Sequence, residues 1–385
     1  MEIILFCAYC CFSASWMVGS ILTTEMAQDF GIAHLPASVN NAISAAKIVG
    51  NFVAAWIIIK FNPKRTVSLS ILLIMAVTVG ALATNLPLFV ITRFLLGFGG
   101  AVLMISMTPY VVYLFDEKRQ PIFIGINNAG PNTGNLIALL SINAVRHWLV
   151  SWRFVILFYA IFSVVFLLLW MAYGKNYPIT EKTEEDHAAI AAYGYRDGLK
   201  EPFLYKFLFT LTGRLVMYTV MLYLFPLNPS FTVDAQFITL MIAITGVPGT
   251  VLGIILAKKV QNQSLLFKIA GFAQTAVFLL MIVVPSPTVA TLCAVLLGCI
   301  IFLSTPALFT LPTRLPGATP RMVAVIMTLY WSMAYILQMA VYAFIVYLVN
   351  HWGWNQAMLF TAFYSLTFFI GSFILPDLRP PKKEM

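Results

Sequence analysis

The chain has 385 residues, of which 61% are hydrophobic and only 10% charged, and its net charge is +9. A soluble domain carries about 45–50% apolar and about 25% charged residues, so a soluble enzyme, a soluble nucleic-acid binder and a disordered chain are all excluded. What remains is a polytopic membrane protein, and 31 Phe, 16 Tyr and 8 Trp suit wide lipid contact with interfacial belts.

A membrane-spanning helix needs about 20 mostly apolar residues. Twelve candidates occur in chain order, at 3–26, 39–60, 67–85, 88–115, 122–145, 154–173, 204–225, 235–257, 265–284, 288–311, 322–349 and 355–376. The first lacks a basic start and a small-residue cleavage site, so no cleavable signal peptide is expected. It contains Cys7, Cys10 and Cys11, and Cys293 and Cys299 lie in the tenth. None has His or acidic neighbours at metal-ligand spacing, so they read as small packing residues and no metal is expected.

Most connections are short, which makes consecutive helices antiparallel. The exception is 174–203, which holds six of the 14 acidic residues. It divides the chain into an N-terminal six-helix bundle (1–173), a central cytoplasmic loop (174–203), a C-terminal bundle (204–376) and a tail (377–385). Ser151-Trp152-Arg153-Phe154 and Gly353-Trp354-Asn355 open the sixth and twelfth segments 202 residues apart. Leu96-Gly97 and Leu297-Gly298 are 201 apart, and Gly50 and Gly249 are 199 apart. A steady offset near half the chain points to an internal duplication, hence two pseudo-symmetric bundles.

With the N-terminus inside, 18 of the 23 Lys and Arg fall on inner segments and only Arg146 and Arg153 on outer ones. By the positive-inside rule both termini are cytoplasmic. The net charge is then a topology signal and not a nucleic-acid footprint.

Three cations remain for the membrane itself: Lys47 in the second segment, Arg93 in the fourth and Arg214 in the seventh. An uncompensated charge there costs about 2.5–3.5 kcal/mol or more. The spans offer almost no acid, only Glu25 and Asp116 at helix ends, so the balancing anion is expected to be a substrate. Each cation also has a structural reading: Arg93 bonding carbonyls of the first helix, Lys47 snorkelling outward, Arg214 holding helix packing. Lys206, Thr210, Arg214 and Tyr218 recur every four residues as one stripe. Further polar faces carry Asn127, Asn128, Asn132 and Asn135 in the fifth segment. The eleventh carries Trp331, Tyr335, Gln338 and Tyr342, with Tyr330 beside them, and the first carries Ser13, Trp16, Ser20 and Thr24. Such groups orient a ligand in an apolar pocket or bond helix to helix.

The loop after the second helix reads Lys60-Phe61-Asn62-Pro63-Lys64-Arg65. The fourth reads Arg93-Phe-Leu-Leu-Gly97-Phe-Gly99-Gly100, and the fifth carries Gly125, Gly130-Pro131 and Gly134-Asn135. With twelve helices and a central loop, the chain resembles the major facilitator superfamily of secondary transporters over nearly its whole length. The loop is similar to a degenerate form of the family's basic signature, with Ile59 at its acidic position. The fifth helix is similar to the family's antiporter signature. The resemblance implies an all-α fold of twelve transmembrane helices in two six-helix bundles. It also implies a cavity lined by helices 1, 4, 7 and 10, with 2, 5, 8 and 11 beside it.

The expected function is secondary transport of a small organic anion, a carboxylate or phosphate ester, by rocker-switch alternating access. Arg214, Lys47 and Arg93 would bind the anion, and Tyr218, Asn128, Asn132, Trp331, Tyr335 and Gln338 would orient it. Lys60, Lys64, Arg65, Gly130 and Pro131 would serve gating. Protons or a counter-anion would couple transport, and lipids would surround a monomer. No cofactor, nucleic-acid partner or enzymatic activity is expected. The resemblance suggests a bacterial inner membrane. Proton-coupled drug or metabolite efflux is the alternative. A transport-inactive receptor and a nitrate/nitrite porter, suggested by Gly134-Asn135-Leu136, rank lower.

Overall fold

The computed structural model describes residues 1–116, 119–177, 193–260, 263–318 and 320–376. Lys182, the tail and most of the central loop therefore lie outside the described residues.

The chain is all-helical. We number its long helices α1 (Glu2–Ile21, continued by Thr23–Asp29), α2 (Ser38–Phe61), α3 (Pro63–Ile74, continued by Ala76–Ala81), α4 (Leu86–Leu114), α5 (Gln120–Leu149) and α6 (Trp152–Tyr173). There follow α7 (Pro202–Tyr223), α8 (Ala235–Lys259), α9 (Gln263–Val283), α10 (Pro287–Leu303, continued by Thr305–Phe309), α11 (Pro320–Trp352) and α12 (Trp354–Ile374). Among the described residues, ten helices are long and apolar enough to cross a membrane. The other two long ones, α2 and α5, run for 24 and 30 residues and carry the intramembrane Lys47 and the asparagine face.

Local chemistry sets several boundaries. Asn62, at φ 68°, reverses the chain between α2 and α3, and Pro63 starts α3 where its missing N–H costs nothing. Asn85 and Ser286 cap α4 and α10 by accepting from Leu88 N and Val289 N, each ahead of a proline in the first turn. The sequence gives α5 a Gly130-Pro131 element that would bend or loosen it; α5 nevertheless stays helical from end to end. α10 is interrupted at Ser304 just before Pro306, as α1 is at Leu22 and α3 at Met75, and a short 3-10 turn (Leu311–Arg314) follows α10. Pro306 and Pro312 lack the N–H groups that would continue the ladder. The polar central stretch, expected as a plain connector, contains a helix at Tyr195–Lys200. Its Gly198 lies against α11: a Cβ there would come within 2.8 Å of Val325 and Leu329.

Two compact units divide the chain, Met1–Thr180 and Glu181–Met385. In the first, α1 packs on α5 and α6, α2 on α4, and α3 on α4 and α6. In the second, α7 packs on α11 and α12, α8 on α10, and α9 on α10 and α12. The pairings correspond helix for helix, and the correspondence extends to atoms. A Cβ on Gly97 would lie 2.8 Å from the Ile43 backbone in the α2–α4 contact. A Cβ on Gly298 would lie 2.3 Å from the Ile242 carbonyl in the α8–α10 contact. Gly50 and Gly249 meet Ala101 and Cys299 on the same two contacts. Only glycine allows backbones this close, which is the small-residue packing that membrane helices favour.

One end of the first unit is fastened by ion pairs. Arg146 pairs with Glu25, and Arg153 reaches Asp29 at 2.7 Å and the carbonyls of Ala81 and Ala83. Thus α5 and α6 are tied to the end of α1, and Arg153 caps the last turn of α3 with a cation.

Candidate functional site

Trp16 of α1 is the meeting point of the first unit's polar groups. Its indole N–H donates to Asn40 Oδ1 of α2 at 2.8 Å. Lys47, two turns further along α2, places Nζ 4.4 Å over the Trp16 ring and 5.6 Å over Phe12. A desolvated ammonium over an indole face gains about 2 kcal/mol or more, which offsets part of the cost of its position. Lys47 is half-buried and stands on an aromatic floor, not snorkelled to a helix end. Asn40 is 3% exposed, and its Nδ2 has no partner among the described residues.

Arg93 of α4 approaches the same turn of α1 from behind. It is fully buried and donates to Ser15 O at 2.9 Å, Trp16 O at 2.8 Å, Ser20 Oγ at 3.2 Å and Val39 O at 3.4 Å. The guanidinium lies over Gly19, where a Cβ would come within 2.4 Å of Nη1. The planar fork is thus used up on helix carbonyls, binding α4 to α1 and α2.

In the second unit, Arg214 of α7 is 8% exposed and addresses the break in α10. Nη1 donates to Ser304 Oγ at 3.3 Å, and Nη2 donates to the Ile301 carbonyl and to Thr305 Oγ1. The interruption of α10 leaves terminal carbonyls at the negative end of a helix dipole, a favourable place for a cation. Phe368 of α12 backs the guanidinium at 5.6 Å. Among the described residues no carboxylate pairs with Arg214, and its Nε–H and one Nη1–H are unused.

The other expected residues divide clearly. Tyr218 is half-buried one turn beyond Arg214, with its ring edge-on to Phe302 at 5.3 Å. Trp331 and Tyr335 belong to an aromatic stack on α11: Phe309 to Trp331 at 5.5 Å, then Trp331 to Tyr335 at 5.7 Å. Gln338, one turn on, is buried. Asn132 is half-buried on α5, and the side chain of Asn128 lies outside the described ones. Of the gating set, Lys60 and Arg65 are exposed. Lys64 donates through Nζ to Met171 O at 2.9 Å, and its own carbonyl accepts from Trp170 Nε1. The loop is therefore stapled to the end of α6. Gly130 accepts from Cys10 Sγ at 3.4 Å, and a Cβ on it would meet Tyr9 at 3.1 Å. Pro131 follows inside the unbroken helix.

Sequence reasoning missed Glu2, Asn40, Ser304 and Thr305. Ser304-Thr305-Pro306 did carry a signal, since two hydroxyls beside a proline in an apolar run mark freed backbone carbonyls. Glu2 carried none, because a carboxylate at a helix start reads as exposed.

A family model described as Major Facilitator Superfamily matches residues 4–339. The chain belongs to that superfamily: it is a multi-pass membrane protein, a secondary transporter and not an enzyme. Several solved transporters share its fold. The xylose transporter XylE from E. coli superposes with a TM-score of 0.75 at 16% identity, covering 100% of this chain and 96% of that one. A peptide transporter bound to alafosfalin gives 0.75 at 14%, covering 98% and 95%. A bacterial homologue of the human lysosomal transporter Spinster gives 0.72 at 15%, covering 99% and 98%. The uncharacterized protein Cj0987c of Campylobacter jejuni is 26% identical over 177 residues, 46% of this chain and 55% of that protein. The chain thus matches just over half the length of that relative.

Proposed function

We propose that the protein carries a small organic anion, a carboxylate or phosphate ester, by rocker-switch alternating access of the bundles 1–173 and 204–376. The observation that carries this reading is Arg214: a buried guanidinium with two free N–H donors and no carboxylate partner among the described residues. An anionic ligand supplies the missing charge and accepts those donors. Lys47 on its Trp16–Phe12 floor is the corresponding cation of the first unit, and Asn40 adds an unused amide donor. Tyr218, Asn128, Asn132, Trp331, Tyr335 and Gln338 orient the remainder. Arg93 is reassigned to architecture, because its fork is spent on α1 and α2. Lys60, Lys64 and Arg65 form the cytoplasmic basic loop, and Gly130-Pro131 serves gating from within the continuous α5. The Lys and Arg distribution supports cytoplasmic termini, and the family resemblance supports a bacterial inner membrane, where we read the protein as a monomer.

The test is thermal melting in detergent with succinate, glycerol 3-phosphate, nitrate, glucose and tetraphenylphosphonium. A ligand at 100 times its Kd stabilises the native state by about 2.7 kcal/mol. The expected result is a rise in Tm with one carboxylate or phosphate ester, lost in Arg214→Gln and weakened in Lys47→Gln. A rise with tetraphenylphosphonium that both variants retain refutes the anion reading and favours efflux of lipophilic cations.

A further inference from the structure

The first unit holds a carboxylate that the transport reading does not use. Glu2, in the first turn of α1, is only 8% exposed. Its Oε1 accepts from Asn127 Nδ2 of α5 at 2.7 Å. Its Oε2 is buried and has no hydrogen-bond partner among the described residues. The same is true of Asn127 Oδ1, the other arm of the amide that Glu2 binds. Two planar groups are thus joined by one hydrogen bond, and each keeps one buried oxygen with no donor. Both leftover atoms are acceptors, on a carboxyl and an amide that already share a bond, and a proton on the carboxyl would turn one of them into a donor.

We propose that Glu2 and Asn127 form a proton-binding pair linking α1 to α5. When Glu2 is protonated, Oε2–H donates to Asn127 Oδ1 while Asn127 Nδ2 donates to Oε1, closing a two-bond ring between acid and amide. All four polar atoms are then satisfied. When the proton leaves, two buried oxygens lose their donor and the ring falls back to one bond. Buried polar groups without partners are costly, so loss of the proton loosens the seam between α1 and α5. Proton occupancy and the packing of these two helices are therefore linked.

Among the described residues no Lys or Arg side chain pairs with Glu2; the positive charge that acts on it is the α-amino group of Met1 next to it. The charged and titratable groups on the elements around this end of α1 are Lys60 of α2, Tyr110 of α4 with Asp116 after it, and Arg119 before α5. Tyr113 of α4, Tyr173, Lys175 and Tyr177 at and beyond the end of α6, and the Met1 α-amino group and Cys7 on α1 itself are the others among the described residues. None bonds to Glu2 among the described residues. Lys175 approaches only through its backbone N–H, which meets Met1 Sδ. The inference goes beyond anion transport and stands without it. It identifies the proton as an ion that this chain can bind inside its helical bundle.

Glu2→Gln tests the pair directly, because a glutamine amide supplies permanently the donor that the acid supplies only when protonated. Purified wild type and variant are melted in detergent between pH 5.5 and 8.5. The expected wild-type Tm falls as pH rises, since the native state holds a proton that the unfolded chain releases. The glutamine variant melts at or above wild type at pH 8.5 and shows a flatter pH curve. A variant that melts several degrees below wild type at pH 8.5, or one with the same pH dependence as wild type, overturns the proposal. Dicyclohexylcarbodiimide gives a second readout, because it reacts with protonated carboxyls in apolar surroundings. An adduct on the Glu2 peptide at pH 6 that fades at pH 9 is expected. Absence of labelling at pH 6 counts against the pair.

Discussion

Replacing Arg93 with methionine separates its architectural role from a role in binding substrate. The side chain has four acceptors on α1 and α2, two of them within 3 Å, and no exposure. Hydrogen bonds between membrane helices average about 0.6 kcal/mol, so four give about 2.4 kcal/mol. Counting only the two short ones at the charge-assisted lower value of about 1.5 kcal/mol gives about 3 kcal/mol. The two routes agree. At about 2–4 °C per kcal/mol, Arg93→Met lowers Tm by about 5–12 °C. Methionine keeps the bulk of the stem, so the loss reports the fork and not a large cavity. Arg93→Lys retains the charge but cannot span four acceptors, and about half the loss is expected. A thiol-reactive dye is a suitable probe, because Cys10 and Cys293 are buried in the fold. A methionine variant melting within about 1 °C of wild type, while losing ligand-induced stabilisation, would refute the reasoning and return Arg93 to the binding site.

Two further outcomes follow from other parts of the fold. Gly298→Leu and Gly97→Leu force side chains into backbone contacts of 2.3 and 2.8 Å. Each should cost about 1–3 kcal/mol or more, visible as a lower Tm and poorer folded yield, and a neutral result would break the proposed equivalence of the two contacts. Tyr177, beyond the end of α6, stands edge-on to Tyr110 at 4.8 Å, and burial pushes its hydroxyl above the usual phenol range. The folded protein therefore holds that proton longer than the unfolded chain, so this contribution is complete below about pH 10 and lost as pH rises further. A Tyr177→Phe variant should lose less Tm than wild type between pH 9 and 11.5.

Much of the architecture was legible because a bilayer imposes a coarse and repetitive demand. Apolar length located twelve helices, and the glycine offsets pointed to a duplication; that these glycines sit in the α2–α4 and α8–α10 contacts came only from the structure. What the sequence could not show is where polar side chains spend their hydrogen bonds. Arg93, Lys47 and Arg214 look alike in a hydropathy profile, yet one is consumed by carbonyls, one stands on aromatic rings and one reaches a helix break. That break was itself misjudged. Gly130-Pro131 reads as a weak point, yet α5 is one unbroken helix through it. Pro306 follows two hydroxyl residues that compete for the same backbone, and there the helix does stop. Glu2 escaped notice because its burial comes from α5, more than a hundred residues away.

The two arginines gain meaning from the duplication. α1 corresponds to α7 and α4 to α10, so each unit fastens the same pair of helices with one guanidinium. The direction is reversed: Arg93 projects from α4 onto α1, and Arg214 from α7 onto α10. Reversal changes what the clasp can do. Arg93 lies on the Glu2–Ile21 part of α1, whose carbonyls are already in a helical ladder, and Gly19 lets the fork lie flat against them. α10 is interrupted beside Arg214, so the acceptors there are one carbonyl and two hydroxyls, of which Thr305 Oγ1 also donates to the Ile301 carbonyl, and two donors stay unused. A clasp onto a continuous helix can only hold. The same helix pair is thus clasped chiefly onto helix carbonyls in one bundle and, in the other, onto one carbonyl and two hydroxyls.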